Sequence, residues 1–595
     1  MHYKFLAFAL SACLLSACGV GTASHPEEAD LTFIFTTDLH GQMLNYDFLG
    51  KKADSTSLSN LSTLVKATRQ DNPDGVVLLD CGDILDGSPA MYFYTYEAPE
   101  EQHLVVRAMN YLGYDAIEMG NHDFECGESI YRDQLQRAYK MPMLCANAID
   151  SRTDKSMFRP YTIINRNGFK IAVLGLITPE TYKMVSAPSI PHLRFDPMIE
   201  SARRWMEILE RQEKPDYTIL LAHAGTERVT RQNEAGEGFY DGTYEVAKQI
   251  DGIDLVLMGH DHQVRQDTII SNSGKMIPVL QPSSECDEFG RIDMHLRYNK
   301  GQHALVEQFD MQRIKAKSIP QDEEFNALFQ PDIERVNEYL DKPLGRLNIS
   351  SEGGASLVGP SELSSFIHSV QLTLSEADLS MASSLSTFTD IMAGDISMRT
   401  LFSLYRYENL LTKLWMTGSE VKEFLEYGYG RQYGLMQNSD DHLLAFRRDD
   451  NGEIIMGRWG PDLVMPQYNY TSCGGLNYEV DVTRPAGDRV RILNLADGRP
   501  FDPEATYTIC MTSFQAQGGG GYITDGLGWD PNEIRYRTIN ETSKDIRYFI
   551  AQFLRNPSAH ATEMHPVGAW KVVPEVWWRH AKERDIEMLL PYIRK

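Results

Sequence analysis

Five short apolar runs of this chain are each followed by side chains that can bind a metal ion or move a proton. The polar residues at the ends of these runs are Asp38, His40, Asp83, Asn121, His122, His223, His260 and His262. Open α/β sheets bind ligands beyond the carboxyl ends of their strands. We therefore expect these side chains to meet at one edge of a sheet.

The donor types indicate which ions this site would hold. Carboxylate, amide and imidazole donors without cysteine suit Mn²⁺, Zn²⁺ or Fe rather than a structural thiolate site. A single histidine after a strand is more often a structural residue. The full set, however, exceeds the needs of one tetrahedral ion and fits two divalent ions about 3.5–4 Å apart. Such a pair can stabilise both the attacking and the leaving oxygen in phosphoryl transfer.

The elements that must position these residues follow an α/β rhythm. Short apolar runs alternate with longer mixed segments. They predict strands at 31–37, 76–80, 116–120, 170–177, 217–223 and 255–260, and in a later region at 476–482 and 506–514. Between the two regions, apolar residues at helical spacing predict an amphipathic helix over 322–341. Pro343 and a Gly/Ser-rich stretch follow it, so the main domain boundary is placed there.

This organisation divides the chain into six parts. They are a signal peptide (1–18), a tether (19–30), a first domain (31–318), a helical linker (319–345), a second domain (346–556) and a tail (557–595). The tail carries Trp577 and Trp578 and is expected to pack back on the body of the protein.

The first residues predict export. Lys4 precedes an apolar run from Phe5 to Leu15, and Leu-Ser-Ala-Cys ends at Cys18. This pattern resembles a bacterial lipoprotein signal, which implies that Cys18 is acylated and becomes the mature N-terminus. The protein would then be an exported, membrane-anchored lipoprotein at the periplasmic or outer-membrane face of a bacterial cell. A plain secretory signal with a chance cysteine is the alternative.

The net charge limits the possible partners, and the cysteine spacing indicates the state of the thiols. The formal net charge of -26 argues against binding to a nucleic-acid polymer, which requires Lys and Arg. It still permits a small anionic substrate, because bound cations can dominate the local field. The six cysteines beyond Cys18 are scattered along the chain, so we expect buried free thiols for most of them.

The strand-end motifs resemble a known family. DLH (38–40), GDILDGSP (82–89), GNHDFE (120–125), HAG (223–225) and GHDH (259–262) resemble the metallophosphoesterase lobe of the 5′-nucleotidase and 2′,3′-cyclic-nucleotide phosphodiesterase family. YRYENLL (405–411), GGLNYEVDVTRP (474–485) and FQAQGGGGY (514–522) resemble its C-terminal lobe. The implied fold class is α/β. A layered metallophosphoesterase domain, with a β-sandwich flanked by helices, is joined by the linker to a second α/β nucleotide-binding domain.

The resemblance also implies roles for individual residues. One ion would be held by Asp38, His40 and His262, and the other by Asn121, His223 and His260, with Asp83 bridging the two. His122 would assist the leaving oxygen, although it could instead only orient Asn121. In 5′-nucleotidases an Asp usually pairs with this histidine, and here its position is taken by Glu125.

In the second lobe, family members hold the base between two aromatic rings. By position these would be Tyr470 and Phe514, with Gly519, Gly520 and Tyr522 completing the substrate-binding loop. Gly520 and the segment Ser383-Ser384-Leu385 depart from the usual 5′-nucleotidase pattern. These departures resemble the 2′,3′-cyclic-nucleotide 2′-phosphodiesterase/3′-nucleotidase branch. The DLHG start followed by Tyr46-Asp47, and the YEN at 407–409, favour the same branch as these departures.

The expected partner is a small nucleotide, and the chain is expected to be a monomer or weak oligomer. Alternative functions are a 5′-nucleotidase or nucleotide-sugar hydrolase, a related thiosulfate-ester hydrolase, and a non-catalytic lipid-anchored nucleotide-binding protein.

Overall fold

The computed structural model describes residues 28–226, 231–232, 238–239, 242–298, 305–383, 390, 392–405, 409–457, 460–555 and 567–593. The predictions for the signal peptide with Cys18, for tether residues 19–27, for Ser384 and Leu385, and for residues 407–408 lie outside this part of the chain. Among the described residues, no helix is both long and apolar enough to cross a membrane.

Two six-stranded sheets form the N-terminal domain. In spatial order, the first sheet contains Leu305–Lys315, Glu288–Arg297, Glu28–Thr36, Val76–Asp80, Ala116–Glu118 and Met143–Leu144. The second contains Arg265–Ile270, Met276–Gln281, Leu255–Gly259, Tyr217–His223, Phe169–Ile177 and Tyr161–Arg166. Strands at the centre of each sheet run parallel. These strands are buried on both faces, which is why the sequence shows them as continuous apolar runs.

The two sheets pack face to face and helices cover their outer surfaces. Phe33, Val77, Ile171, Ile219 and Leu257 belong to the apolar layer between the sheets. The longer helices of this domain are Leu58–Asp71, Leu104–Leu112, Met198–Ile208 and Thr243–Gln249. The first strand pairs with Glu288–Arg297 from Glu28 onward. The last three residues of the predicted tether therefore belong to the sheet, because their backbone completes this antiparallel ladder.

The linker is a helix that spans Glu323–Leu340, as its apolar spacing indicated. Asp322 caps it by accepting hydrogen bonds from the N–H groups of Glu324 and Phe325. Its buried face enters a core cluster that also contains residues of both domains. Leu328, which has the same apolar spacing, is exposed.

Polar contacts also fix the linker to both domains. Asp332 of the linker helix pairs with Arg107 of the N-terminal domain. Arg399 of the C-terminal domain donates hydrogen bonds to Asn337, Asp341 and the carbonyl of Phe48. The two domains and the linker are thus joined by a shared core and by charged side chains.

The C-terminal domain contains a five-stranded sheet. Its spatial order is Thr471–Gly474, Leu379–Ser383, Thr506–Thr512, Leu410–Thr417 and Thr538–Asp545. Helices of this domain include Glu362–Ser375, Met398–Leu404, Gly418–Gln432, Ser513–Ala516, Pro531–Arg537 and Ile546–Arg555. The strand predicted over 506–514 ends at Thr512, whose hydroxyl caps the helix that starts at Ser513.

The tail packs back on this domain as a strand and a helix. Trp570–Val573 pairs in parallel with Leu476–Asp481, which also pairs with Val490–Leu495. The helix Glu575–Ile593 follows, and Trp578 Nε1 donates a 2.6 Å hydrogen bond to the carbonyl of Val358. The described part of the predicted tail is therefore integral to the C-terminal domain.

Candidate active site

The strand-end side chains form two adjoining groups. Ligand atoms of Asp38, His40 and His262 lie within 4.8 Å of one another, and so do those of Asp83, His223 and His260. Asp83 lies between the groups. Its Oδ2 is 3.1 Å from His223 Nε2 and 4.0 Å from His40 Nε2. The structure thus brings together the side chains that the resemblance assigns to two ions, with Asp83 in the bridging position.

Buried polar atoms in this centre fit a cation. Asn121 Oδ1 and His260 Nδ1 are buried and make no hydrogen bond among the described residues. Leaving such an atom unsatisfied costs about 1–3 kcal/mol. Both residues line the same cavity as Asp83. Oxygen and imidazole donors that lack protein partners suit borderline divalent ions, so the residues present fit the two-metal hypothesis.

Hydrogen bonds from neighbouring loops hold the ligands in place. His223 Nδ1 donates to the carbonyl of Cys81 at 2.7 Å, which leaves Nε2 free to bind a metal. The carboxylate of Asp38 accepts the His260 N–H at 3.0 Å. Asp123 belongs to the GNHDFE motif, but no role was predicted for it; it accepts backbone N–H groups of Asp83, Ile84, Leu85 and Gly120. It thereby joins the loops that carry Asp83 and Asn121.

The backbone of the centre adopts unusual conformations. Asp38, His40, Asp83, His260 and His262 all have positive φ angles, of 50°, 45°, 57°, 93° and 55°. Such angles cost a non-glycine residue about 1–3 kcal/mol and tend to cluster at functional sites. Here they turn the side chains inward immediately after the strands end.

The electrostatics give His260 and Asp83 the protonation states that metal ligands need. Burial opposes the charge on His223, but the nearby Asp83 outweighs burial and raises the pKa of His223 to about 9, so a metal ion at Nε2 would have to displace a proton. Burial together with the nearby His223 lowers the pKa of His260 to about 4, so its imidazole is neutral. Burial disfavours the Asp83 carboxylate, but the charges of His223 and His122 outweigh burial and hold its pKa well below the usual range. A neutral imidazole and an ionised carboxylate are the forms that bind metal ions.

His122 lies beside this centre and between two carboxylates. Its Nδ1 is 3.1 Å from Glu125 Oε1 and 3.5 Å from Asp86 Oδ2. The longer Glu125 side chain therefore preserves the pairing expected of an Asp. Burial opposes the charge on His122, but Glu125 and Asp83 raise its pKa well above the ordinary value. Asp86 was missed in the sequence analysis, although it lies within the GDILDGSP motif.

A cavity of 1180 Å³ lies between the domains and connects this centre to the C-terminal domain. His122 and Asn121 line one side, while Phe514, Gly519 and Gly520 line the other. Phe514 is 45% exposed. A Cβ added to Gly519 would lie 2.5 Å from the Phe514 ring, so this ring packs directly on the glycine backbone. Ser383 also lines the cavity.

Two predicted substrate-binding residues are placed elsewhere. Tyr470 is only 2% exposed and lies in the core, where its hydroxyl donates to the carbonyl of Gln432. Tyr522 is also buried; it stacks on Phe424, and its hydroxyl donates to the carbonyl of Asn469 at 2.6 Å. The tyrosine that lines the cavity is Tyr468, which is 41% exposed. A 3₁₀ turn at Gln467–Asn469 directs Tyr468 outward, whereas Tyr470 leads into the buried strand.

Comparisons with known proteins agree with this architecture. The Calcineurin-like phosphoesterase family matches residues 31–264, and the family described as 5'-nucleotidase, C-terminal domain matches residues 345–525. A 2',3'-cyclic-nucleotide 2'-phosphodiesterase/3'-nucleotidase of Salmonella typhimurium is 24% identical over 637 residues, covering 96% of this chain and 92% of that protein.

Two further similarities extend the comparison. A trifunctional nucleotide phosphoesterase of Bacillus subtilis is 25% identical over 561 residues, which cover 84% of this chain but only 37% of that longer protein. The crystal structure of a putative 5'-nucleotidase from Staphylococcus aureus superposes with a TM-score of 0.70 at 21% identity, covering 91% of this chain and 100% of that one. This structural likeness supports the two-domain fold.

Proposed function

Because the chain belongs to the 5′-nucleotidase family, with a calcineurin-like phosphoesterase domain and a 5′-nucleotidase C-terminal domain, we propose that it hydrolyses 2′,3′-cyclic nucleotides and 3′-nucleotides to nucleoside and phosphate. The observation that carries the proposal is the single cavity that joins the strand-end centre and His122 to the exposed rings Phe514 and Tyr468. One nucleotide could then have its phosphate at the first and its base at the second.

Two features favour the cyclic and 3′ substrates. Gly520 and Ser383, which depart from the usual 5′-nucleotidase pattern, both line the cavity. The Salmonella relative with this activity in its name matches the chain over almost its whole length.

Two divalent ions would supply Lewis acidity and lower the pKa of a water molecule. Their ligands would be Asp38, His40 and His262 for one ion and Asn121, His223 and His260 for the other, with Asp83 shared. The protein's own part begins with binding. Phe514 and Tyr468 hold the base, and stacking on aromatic rings stabilises binding by ~1–3 kcal/mol per base. Water then attacks phosphorus, and the bond from phosphorus to the ribose oxygen breaks.

His122 completes the reaction as the general acid. Glu125 and Asp86 hold its Nδ1, so Nε2 remains to give a proton to the departing ribose oxygen. A 2′,3′-cyclic substrate first opens to the 3′-phosphate, and a second hydrolysis releases the nucleoside.

Product analysis by chromatography tests the proposal. Protein lacking residues 1–18 is stripped of metal, reloaded with Mn²⁺ or Zn²⁺, and given 2′,3′-cyclic AMP, 3′-AMP and 5′-AMP separately. We expect metal-dependent conversion of the cyclic compound through 3′-AMP to adenosine, with 5′-AMP spared. Rapid loss of 5′-AMP with the cyclic compound untouched would instead assign the protein to the 5′-nucleotidases.

Export and lipidation at Cys18 are a separate proposal, supported by the sequence alone. The Cys18→Ser protein should lose its acyl anchor and move from the membrane fraction to the soluble fraction of the producing cell. Labelling with a fatty-acid analogue measures the modification directly. Equal labelling of the wild-type and Cys18→Ser proteins would refute it.

A further inference from the structure

The cavity between the domains has an uneven charge distribution. Its described lining contains seven carboxylates: Asp83, Asp86, Glu125, Glu180, Asp261, Asp525 and Asp545. Lys544 is the only lysine or arginine in the described part of that lining. A nucleotide is an anion, so a lysine in this lining can attract it. The strand-end centre does not require this lysine.

The ammonium group of Lys544 is available for a ligand. Among the described residues it makes no ion pair, and Nζ lies 5.3 Å from the ring centroid of Tyr96 in the N-terminal domain. The neighbouring Asp545 is already engaged, because Arg547 Nε donates to its carboxylate at 2.6 Å. The contact with the Tyr96 ring holds the ammonium group without neutralising its positive charge.

The backbone around Lys544 is well held. Thr542 Oγ1 donates to the carbonyl of Lys544 at 2.8 Å and accepts the N–H of Leu411 at 2.9 Å. The N–H of Ile546 donates to the carbonyl of Asn409. The lysine therefore projects from a fixed strand end, which favours specific recognition.

Sheet order places this lysine near the base-binding rings. The strand Thr538–Asp545 that carries Lys544 is two positions from Thr506–Thr512, after which Phe514 follows. Two strand spacings amount to roughly 10 Å. Leu410 pairs with Asp545, and Leu411 pairs with Thr512, so both features lie at the same end of the sheet. A single nucleotide can contact both.

We propose that Lys544 forms a second anion subsite, which binds a phosphate other than the one being hydrolysed. This inference rests on the proposed function and extends it to a substrate class. The preferred ligands would be nucleotides with a second phosphate, for example on the opposite side of the ribose. Adenosine 3′,5′-bisphosphate suits the test because it offers that second phosphate whether the 3′ or the 5′ ester is hydrolysed.

The experiment compares kcat/KM for adenosine 3′,5′-bisphosphate, 3′-AMP and 5′-AMP in the metal-loaded protein. Lys544→Met keeps the aliphatic stem and removes the charge, whereas Lys544→Arg keeps the charge. We expect Lys544→Met to lower kcat/KM for the bisphosphate roughly tenfold while changing that for the monophosphates less than about twofold. Lys544→Arg should retain most of the preference.

A matched control removes an equivalent charge elsewhere. Lys582 lies 4.3 Å from the ring centroid of Trp578 on the tail helix, outside the cavity lining. Lys582→Met should leave all three substrates unaffected. If Lys544→Met lowered kcat/KM equally for the monophosphates and the bisphosphate, or did not lower it for the bisphosphate, the proposed subsite would be wrong.

Failure of the proposed function is distinguishable from failure of the subsite. If the wild-type protein hydrolysed none of the three nucleotides, the proposed function would be wrong. Calorimetric titration with adenosine 3′,5′-bisphosphate would still measure the subsite in that case. Roughly tenfold weaker binding by Lys544→Met than by Lys582→Met would support it, and equal binding by the two would refute it.

Discussion

At the scale of single residues, the base-binding site depends on which tyrosine faces the cavity. Tyr468→Ala should raise KM for a 3′-nucleotide roughly tenfold, because stacking on one ring is typically worth ~1–3 kcal/mol. Tyr470→Phe should leave KM unchanged, since its hydroxyl only donates to the Gln432 carbonyl in the core. Steady-state kinetics of the two variants check this. An unchanged KM in Tyr468→Ala would contradict the role of Tyr468 in base binding.

His122 should act on the chemical step rather than on binding. His122→Ala should lower kcat by roughly 10²–10⁴-fold, the usual contribution of general acid catalysis, with KM little changed. Glu125→Gln should lower kcat less, because Asp86 still lies near the imidazole. Single-turnover rates measure the effect on chemistry, and metal content serves as the control. A large rise in KM alone would exclude the role of His122 as the general acid.

The residue scale also shows where sequence reasoning succeeds. All seven strand-end ligand candidates come together, because strand termini fix which residues share one edge of the sheet. Tyr470, which was predicted to hold the base, is buried, and Tyr468 was not considered. A single 3₁₀ turn determines which of these two nearby tyrosines faces the cavity. The role of Asp123 was not predicted, for a different reason. Its role lies entirely in backbone hydrogen bonds from two loops that are distant in sequence.

At the scale of elements, the strand ends must approach one another closely, and glycine permits this. A Cβ at Gly259 would overlap Thr37 Oγ1 and lie 2.7 Å from Asp38 Oδ2. Gly259→Ala should therefore displace the Asp38 carboxylate and weaken metal binding about 10–100-fold, as loss of supporting contacts around a ligand typically does. Metal titration followed by elemental analysis measures this effect.

The control for this prediction is another glycine with space around it. Among the residues that the structure describes, a Cβ at Gly457 would meet only the Gly460 carbonyl, at 3.7 Å. Gly457→Ala should bind metal as the wild-type protein does. Normal metal affinity in Gly259→Ala would show that the strand ends can separate, and would contradict the close packing described here.

Element boundaries were predictable to the extent that apolar runs define them. The central strands and the linker helix appear at the predicted positions, because their burial requires continuous or periodic apolar residues. The strand at Glu28 begins earlier, and the one at Thr506 ends earlier, than the sequence indicated. Pairing partners and a helix cap set these ends, and neither changes the apolar pattern.

At the scale of the whole molecule, each domain contains a histidine that burial keeps uncharged. In the N-terminal domain, burial and the nearby Arg107 lower the pKa of His103 to about 3. In the C-terminal domain, burial lowers the pKa of His368 to about 3, and its ring contacts the hydroxyls of Ser380 and Ser472. Both values lie below the ordinary 6.5, so the unfolded chain binds protons that the folded protein does not.

Both histidines should therefore make the folded protein less stable as the pH falls. Stability from a depressed histidine pKa is fully present above the unfolded value of 6.5 and is lost as pH falls from 6.5 towards 3. At about pH 5, each histidine should lower the free energy of unfolding of its domain by about 2 kcal/mol. His368→Gln keeps a donor and an acceptor but cannot be protonated in this range. The free-energy difference between the wild-type protein and His368→Gln should therefore shrink by about 2 kcal/mol from about pH 7.5 to about pH 5.

Native-state hydrogen exchange, corrected for intrinsic rates, measures this difference in each domain separately. Amides of the helix Glu362–Ser375 and of the strand Leu379–Ser383 report on His368, because these elements enclose it. His103→Gln is the reciprocal control and should act on the helix Leu104–Leu112. If the free-energy difference between the wild-type protein and His368→Gln were the same at both pH values, His368 in the folded protein would accept a proton at little cost. The two domains share a core through the linker helix. If each variant changed hydrogen exchange only in its own domain, the two domains would open independently despite that connection.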